Sequence, residues 1–387
     1  MTYSFSPLKA LLIAQFLSAF VDNMILFIAQ AVITRDGYPG YYLPFVQSTF
    51  LAAYIVLSPW VGRFADNKPK ARVLIIGNIV KAVGIIMLLF RMDPAFSYAV
   101  VGIGAVIYSP AKYGILPLLT RDEKQLLQAN SKLESFTIFA ILAGAVAGGY
   151  MSDLSITMAL ILCIILYGIS IAVNTIIPLD AGNRSIGYSN AIGDFVRDMK
   201  RLFADKKCHY SLIGTGSFWM SSAVLRMIIF AWVPLTLGIT SGGSISMIIA
   251  VTGVGVAVGA MITPFIITLK SYERTILFGF AMGVCILGFL FISNLAVTVI
   301  FLLLTGCLGG IYIVPMNTIL QEVGHKTVGT GRTIAVQNFI ENIFMFIGVG
   351  SYTIAAKMGV SVNLSLAAAG IVFLGLVSYL WILLRKR

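Results

Sequence analysis

Charge is what this sequence has least of. Asp, Glu, Lys and Arg make up 11% of its 387 residues, against about 25% in soluble domains. That shortage excludes a sizeable water-soluble domain, and a hydrophobic share of 59% places the chain among polytopic membrane proteins. Histidine is nearly missing. His209 and His325 are the two present, and neither opens a His-x-x-x-x-Asp acyltransferase box. No Gly-x-x-x-x-Gly-Lys-Ser/Thr loop exists to cradle a nucleotide phosphate. Cys163, Cys208, Cys285 and Cys307 show no metal-site spacing and no pairing pattern, so they read as free thiols packed as small hydrophobes. No metal or other cofactor is expected, and no enzymatic activity.

What is present is a series of long apolar runs. Twelve spans are predicted, at about 8–33, 43–62, 72–91, 95–118, 129–152, 156–178, 209–236, 245–269, 275–293, 295–320, 332–356 and 361–384. The first is too long for the apolar region of a signal peptide and has no small-residue cleavage site after it, so it stays as a span. The net charge of +12 does not point to nucleic acid, because Lys and Arg alternate from loop to loop. Of 27 Lys and Arg, 20 fall on one side: Lys9, the 63–72 loop, Arg121 and Lys124, the 184–207 stretch, Lys270 and Arg274, Lys326 and Arg332, and the terminal Arg385-Lys386-Arg387. Only Arg35, Arg91 and Lys357 fall on the other. The positive-inside rule then makes both termini and the 179–208 loop cytoplasmic. That loop divides the chain into residues 1–178, a linker 179–208 and residues 209–387, with six spans in each half. The linker is mixed in sign and could form an interfacial helix with Ile192, Phe195, Val196, Met199 and Phe203 on its apolar side.

The two halves read as a parallel repeat. Asn23-Met24-Ile25-x-Phe27 in the first span lines up with Arg226-Met227-Ile228-x-Phe230 in the seventh. Tyr108-Ser109-Pro110-Ala111-Lys112 in the fourth lines up with Ile313-Val314-Pro315-Met316-Asn317 in the tenth. The fifth and eleventh spans each carry an acid near the cytoplasmic end, Glu134 and Glu341. Such repeats place a substrate site near the membrane midplane.

An ionised side chain at mid-membrane costs roughly 2.5–3.5 kcal/mol on insertion scales, so each one needs a partner or a function. Gln15, Ser18, Asp22 and Ala29 share one face of the first span. Asp22 is either a coupling or gating carboxylate or a structural one paired with a base on a neighbouring span. Arg226 could clamp a phosphate with two parallel hydrogen bonds or lock to Asp22. Pro110 should kink the fourth span, and Lys112 beyond it could anchor a phosphate, snorkel to the interface, or pair with Glu134 or Glu341. Lys81 lies midway along the third span with no partner evident. Gln337, Asn338, Glu341 and Asn342 form one polar face of the eleventh span. Gly144-x-x-x-Gly148 and Gly255-x-x-x-Gly259 have the spacing of close helix contacts.

After the second span, Gly62-Arg63-Phe64-Ala65-Asp66 followed by Lys68, Lys70 and Arg72 resembles the loop signature of the major facilitator superfamily. In that reading Gly62 makes a tight turn and Asp66 latches the cytoplasmic face. A narrower resemblance, to the lysophospholipid transporter family of that superfamily, is carried by Ala14-Gln15-Phe16-Leu17-Ser18-Ala19-Phe20-x-Asp22-Asn23, by Tyr108 to Leu116, by Ala129-Asn130, by Trp232-Val233-Pro234-x-x-Leu237-Gly238-Ile239, and by Ala335-Val336-Gln337-Asn338 with Glu341-Asn342. One departure is Leu118, where family members often have an acid.

The resemblance implies a twelve-helix all-α fold of two six-helix halves. It also implies movement of lysophosphatidylethanolamine and lysophosphatidylglycerol from the outer to the inner leaflet of a bacterial inner membrane, by alternating access around a central charged cavity. The implied partners are the lysophospholipid, membrane lipids and a cytoplasmic-side acyltransferase that restores the second chain, with the protein itself a monomer. Together with the polar faces it nominates Gln15, Asp22, Asn23, Lys81, Tyr108, Lys112, Arg226, Gln337, Asn338 and Glu341 for substrate binding or gating, and Asp66, Arg72 and Glu134 for a cytoplasmic gate. Two rivals stand beside it. One is a proton-coupled exporter of amphiphilic drugs with Asp22 as the proton site. The other is a non-transporting tether that holds an acyltransferase through the 179–208 loop.

Overall fold

The computed structural model describes residues 6–121, 123–185, 187–267 and 269–385. Helices are the only regular elements among them, and twelve are long and apolar enough to cross a membrane. By contacts the chain forms two compact units, Met1–Tyr38 with Thr49–Ile192, and Pro39–Ser48 with Gly193–Arg387.

The first unit holds α1 (Pro7–Arg35), most of α2 (Tyr42–Asn67), α3 (Lys70–Leu89), α4 (Pro94–Gly114), the single-turn α5 (Leu116–Leu119), α6 (Glu123–Leu154) and α7 (Ile156–Asn174). Local signals set the starts. Ser6 caps α1 ahead of Pro7, and Ser155 caps α7, each hydroxyl accepting a backbone N–H three residues on. Helix α1 is the axis of the unit, packed against α6 and α7, while α3 packs against α4 and α7. Two glycine seams bring these helices together. Gly144 and Gly148 of α6 sit against the carbonyl oxygens of Phe20 and Met24 on α1, and Gly77 of α3 sits against Gly104 of α4. A side chain on any of these glycines would collide with backbone.

Two expectations about the loop after the second span change. Helix α2 runs on to Asn67, so Gly62 lies within the helix, with open space around it, and makes no tight turn. The chain turns at Lys68–Pro69 instead, because proline disfavours a helical residue before it and starts the next helix. Nor does the expected linker behave as one segment. Its first part straps the α2–α3 turn: the Asp180 carboxylate accepts the Lys70 backbone N–H at 2.6 Å and pairs with the Lys70 ammonium at 3.4 Å. The Asn183 N–H donates to the Asp66 carbonyl at 2.9 Å, and Arg63 donates to the Gly187 carbonyl at 2.6 Å.

The rest of the segment is α8 (Ala191–Ala204), which folds into the second unit with α9 (Lys206–Leu237), α10 (Gly242–Ile266), α11 (Thr275–Gly288), α12 (Leu295–Thr327), α13 (Thr330–Lys357) and α14 (Val362–Arg385). The amphipathic helix expected here does form. Phe195, Met199, Leu202 and Phe203, however, bury against Leu320, Val336, Phe339 and Ile340, so protein takes most of its apolar face. Asp198, also buried, pairs with Arg332 at 3.4 Å. Helix α9 is the axis of this unit, packed on α12, α13 and α14. Gly255 and Gly259 of α10 meet the backbone of α12, and Gly306 and Gly310 of α12 meet that of α10. All four cysteines are free thiols.

Candidate functional site

Three helices of the first unit carry polar stripes of the same period. On α1 these are Gln15, Ser18 and Asp22; on α3, Asn78 and Lys81; on α7, Tyr167 and Ser170. The fold brings the stripes face to face. The Lys81 ammonium donates to Asp22 Oδ2 at 2.7 Å and to Ser18 Oγ at 2.9 Å. It also lies 4.6 Å from the centre of the Tyr108 ring and 5.7 Å from that of Tyr167, close enough for cation–π attraction. The Tyr167 hydroxyl donates to the other Asp22 oxygen. From Ser18 the hydrogen bonds run one way: Ser18 to Asn78 at 2.8 Å, Asn78 to Ser170 at 2.9 Å, and Ser170 to the Ala14 carbonyl at 2.8 Å. Each link donates to the next, and the chain ends on a backbone carbonyl.

Exposure divides the ion pair. The Lys81 side chain is 1% exposed and that of Asp22 is 23% exposed. Asp22 opens into a cavity of about 150 Å³ lined also by Gln15, Asn23, Tyr54, Lys81, Tyr108, Ser109 and Lys112. Six residues nominated from sequence, Gln15, Asp22, Asn23, Lys81, Tyr108 and Lys112, thus meet in one place. Lys81, without an evident partner in the sequence, has Asp22. Gln15 is buried, with its amide N–H on Thr137 Oγ1 at 3.1 Å and its Oε1 without a hydrogen-bond partner. Asn23 donates to the Ala19 carbonyl at 2.9 Å. Lys112 is half-buried in the last turn of α4, two residues beyond Pro110.

Arg226, Gln337, Asn338 and Glu341 belong to the second unit. Arg226 is half-buried on α9. On α13 the buried Gln337 amide bridges Glu341 and Asn317 of α12, each at 2.8 Å, and Asn342 donates to the Asn338 carbonyl at 2.7 Å.

Three residues were nominated for a cytoplasmic gate. Asp66 and Arg72 are both exposed, and the Glu134 side chain lies outside the described residues. The carboxylate that engages the α2–α3 turn is Asp180, since a carboxylate gains most at a helix N-terminus with unsatisfied N–H groups. Leu118 is exposed.

Sequence reading missed Tyr167, Asn78 and Ser170. The signal was available: 167 and 170 repeat the three-residue spacing of 15 and 18 and of 78 and 81, and polar side chains that deep in a span need partners.

The major facilitator superfamily model matches residues 11–349. The lysophospholipid transporter LplT of Photorhabdus laumondii is 39% identical over 378 residues, covering 97% of this chain and 95% of that protein. The chain belongs to the lysophospholipid transporter family of the major facilitator superfamily. An LplT from Escherichia coli O1:K1 / APEC is 38% identical over 382 residues, covering 98% of this chain and 96% of the relative. The crystal structure of the nucleoside transporter NupG superposes with a TM-score of 0.74, covering 99% of this chain and 100% of that one at 12% identity. At that identity the match speaks for the fold alone. For this member of the family, then, the twelve helices are those of a multi-pass membrane protein with the superfamily fold.

Proposed function

We propose that this protein moves lysophospholipids, lysophosphatidylethanolamine and lysophosphatidylglycerol, from the outer to the inner leaflet of a bacterial inner membrane by alternating access, delivering them for re-acylation. Kinship over nearly the whole chain with relatives named lysophospholipid transporter supports the cargo. The observation that carries the reading is the charge of the first unit's cavity. Lys81 pairs with Asp22, and Lys112 stands on the same lining. Two lysines beside one carboxylate among the described lining residues suit a phosphate-bearing head group better than the cationic amphiphiles a drug exporter would carry. Arg226 supplies a guanidinium suited to a phosphate in the other unit. The protein's part is binding and movement, with no covalent step.

Uptake of radiolabelled lysophosphatidylethanolamine by spheroplasts lacking their own transporter tests this, with conversion to the diacyl lipid as readout. The chain should confer uptake, and Asp22→Ala and Arg226→Ala should each lower it by about tenfold or more, since losing one charge-assisted contact is worth about 1.5–3 kcal/mol. Well-expressed, membrane-inserted protein that confers no uptake while protecting cells from amphiphilic drugs would replace this reading with the exporter.

A further inference from the structure

The relay behind Asp22 goes beyond what a binding pocket needs. Asp22 presents its carboxylate to the cavity, yet both of its oxygens are engaged from behind by Lys81 and Tyr167. Lys81 shows almost nothing of itself to the cavity it helps to line. Its side chain is 1% exposed, walled by the Tyr108 and Tyr167 rings and by the Gly77–Gly104 seam. Gly104 is part of the reason the lysine can lie there: a Cβ on it would stand 2.6 Å from Lys81 Cγ.

We infer that Lys81 is a positioning residue, which acts through Asp22 by holding it ionised and aimed into the cavity and does not touch the cargo. This deepens the proposed function by dividing labour between two lysines, Lys112 on the accessible lining and Lys81 behind the acid. A half-buried carboxylate that loses its cation takes up a proton more readily, because the charged form is poorly supported where polarity is low. Among the described residues, the groups facing Asp22 from the packed helices are Tyr54 of α2, Lys81 of α3, Tyr108 and Lys112 of α4, Cys163 and Tyr167 of α7, and the neutral Thr137 and Ile141 of α6. Of these, Lys81 is bonded to the carboxylate, at 2.7 Å.

The test reads the Asp22 carboxyl directly and needs no cargo. Dicyclohexylcarbodiimide enters apolar sites and reacts with protonated carboxyls. Purified full-length protein in lipid nanodiscs is treated at neutral pH, and adducts on Asp22 are quantified by mass spectrometry. Wild-type Asp22 should be nearly unlabelled. Lys81→Met should raise labelling by about tenfold or more, the change expected for a shift of one pH unit or greater, and raising the pH should remove it. Tyr167→Phe, which takes away one hydrogen bond and leaves the ion pair, should label to an intermediate degree, and it carries the test if Lys81→Met does not fold. A purely structural lysine would alter protein yield or melting without altering Asp22 labelling or its pH profile. Labelling of folded Lys81→Met and Tyr167→Phe at the wild-type level would overturn the inference. The uptake assay stands apart, so failure of the cargo assignment and failure of the Lys81 role are separate results.

Discussion

At the scale of the residue, the buried polar groups on α1, α3 and α7 work as one hydrogen-bonded chain. Asn78 is its hinge, accepting from Ser18 and donating to Ser170. Removing it takes one partner from each of two hydroxyls, leaving Ser18 with Lys81 and Ser170 with the Ala14 carbonyl. Hydrogen bonds between membrane helices are individually modest, averaging about 0.6 kcal/mol, because the unfolded chain in lipid also finds partners. Two bonds and a small packing defect together should make Asn78→Ala about 1–2 kcal/mol less stable, read as a lower melting temperature or denaturant midpoint in detergent. Ser211 of α9, buried with its hydroxyl unpartnered, serves as the control: Ser211→Ala should leave the midpoint near its wild-type value. An Asn78→Ala protein as stable as wild type would show that the chain is incidental to helix packing.

At the scale of the element, the strap over the α2–α3 turn is held by one acid and one glycine. Asp180 supplies the N-terminal carboxylate that Pro69, at the start of α3, cannot. Gly182 has a φ of +62°, and a Cβ there would stand 2.7 Å from the Asn67 carbonyl oxygen. Gly182→Val therefore meets both a left-handed backbone and a collision, and should cost about 1–3 kcal/mol. Asp180→Asn keeps the shape and gives up the charge, and should cost about 0.5–1 kcal/mol. Limited proteolysis of the 180–190 segment checks both, with cleavage faster in Gly182→Val than in Asp180→Asn and slowest in wild type. Equal cleavage rates in all three would mean that the strap is not held by these two residues.

The same elements show what was legible beforehand. Span number, the Gly144/Gly148 and Gly255/Gly259 seams and the polar faces of α1 and α13 follow from composition and helical period, which act locally. The partner of Lys81 does not, since Asp22 and Lys81 are adjacent only once α1 and α3 pack. Nor does the role of Asp180, 110 residues from Lys70. The Gly62 turn was misread because a pattern of residue types was taken as a loop while helix α2 had no reason to stop before Pro69. Candidate cations were thus visible singly, but their pairing is a property of packing.

At the scale of the whole molecule, the question left to charge is which way the chain faces. Twelve crossing helices return both ends to one side of the membrane, and the Lys and Arg distribution chooses that side. The bias is strong: 20 of 27 fall in segments that alternate with those holding Arg35, Arg91 and Lys357. Two of these three minority charges are also tied down, Arg35 to Asp36 at 2.6 Å and Lys357 over the Tyr41 ring at 5.7 Å, which lowers the cost of keeping them on the side poor in cations. The positive-inside rule therefore predicts cytoplasmic termini. Green fluorescent protein fused after Arg387 should fluoresce in an Escherichia coli host, and alkaline phosphatase fused after Lys357 should be active. The opposite pair, a dark C-terminal fusion and an inactive phosphatase, would invert the orientation. The leaflet direction proposed for the cargo would then have to be reversed, because the basic strap at Lys70 and Asp180 would face the outside.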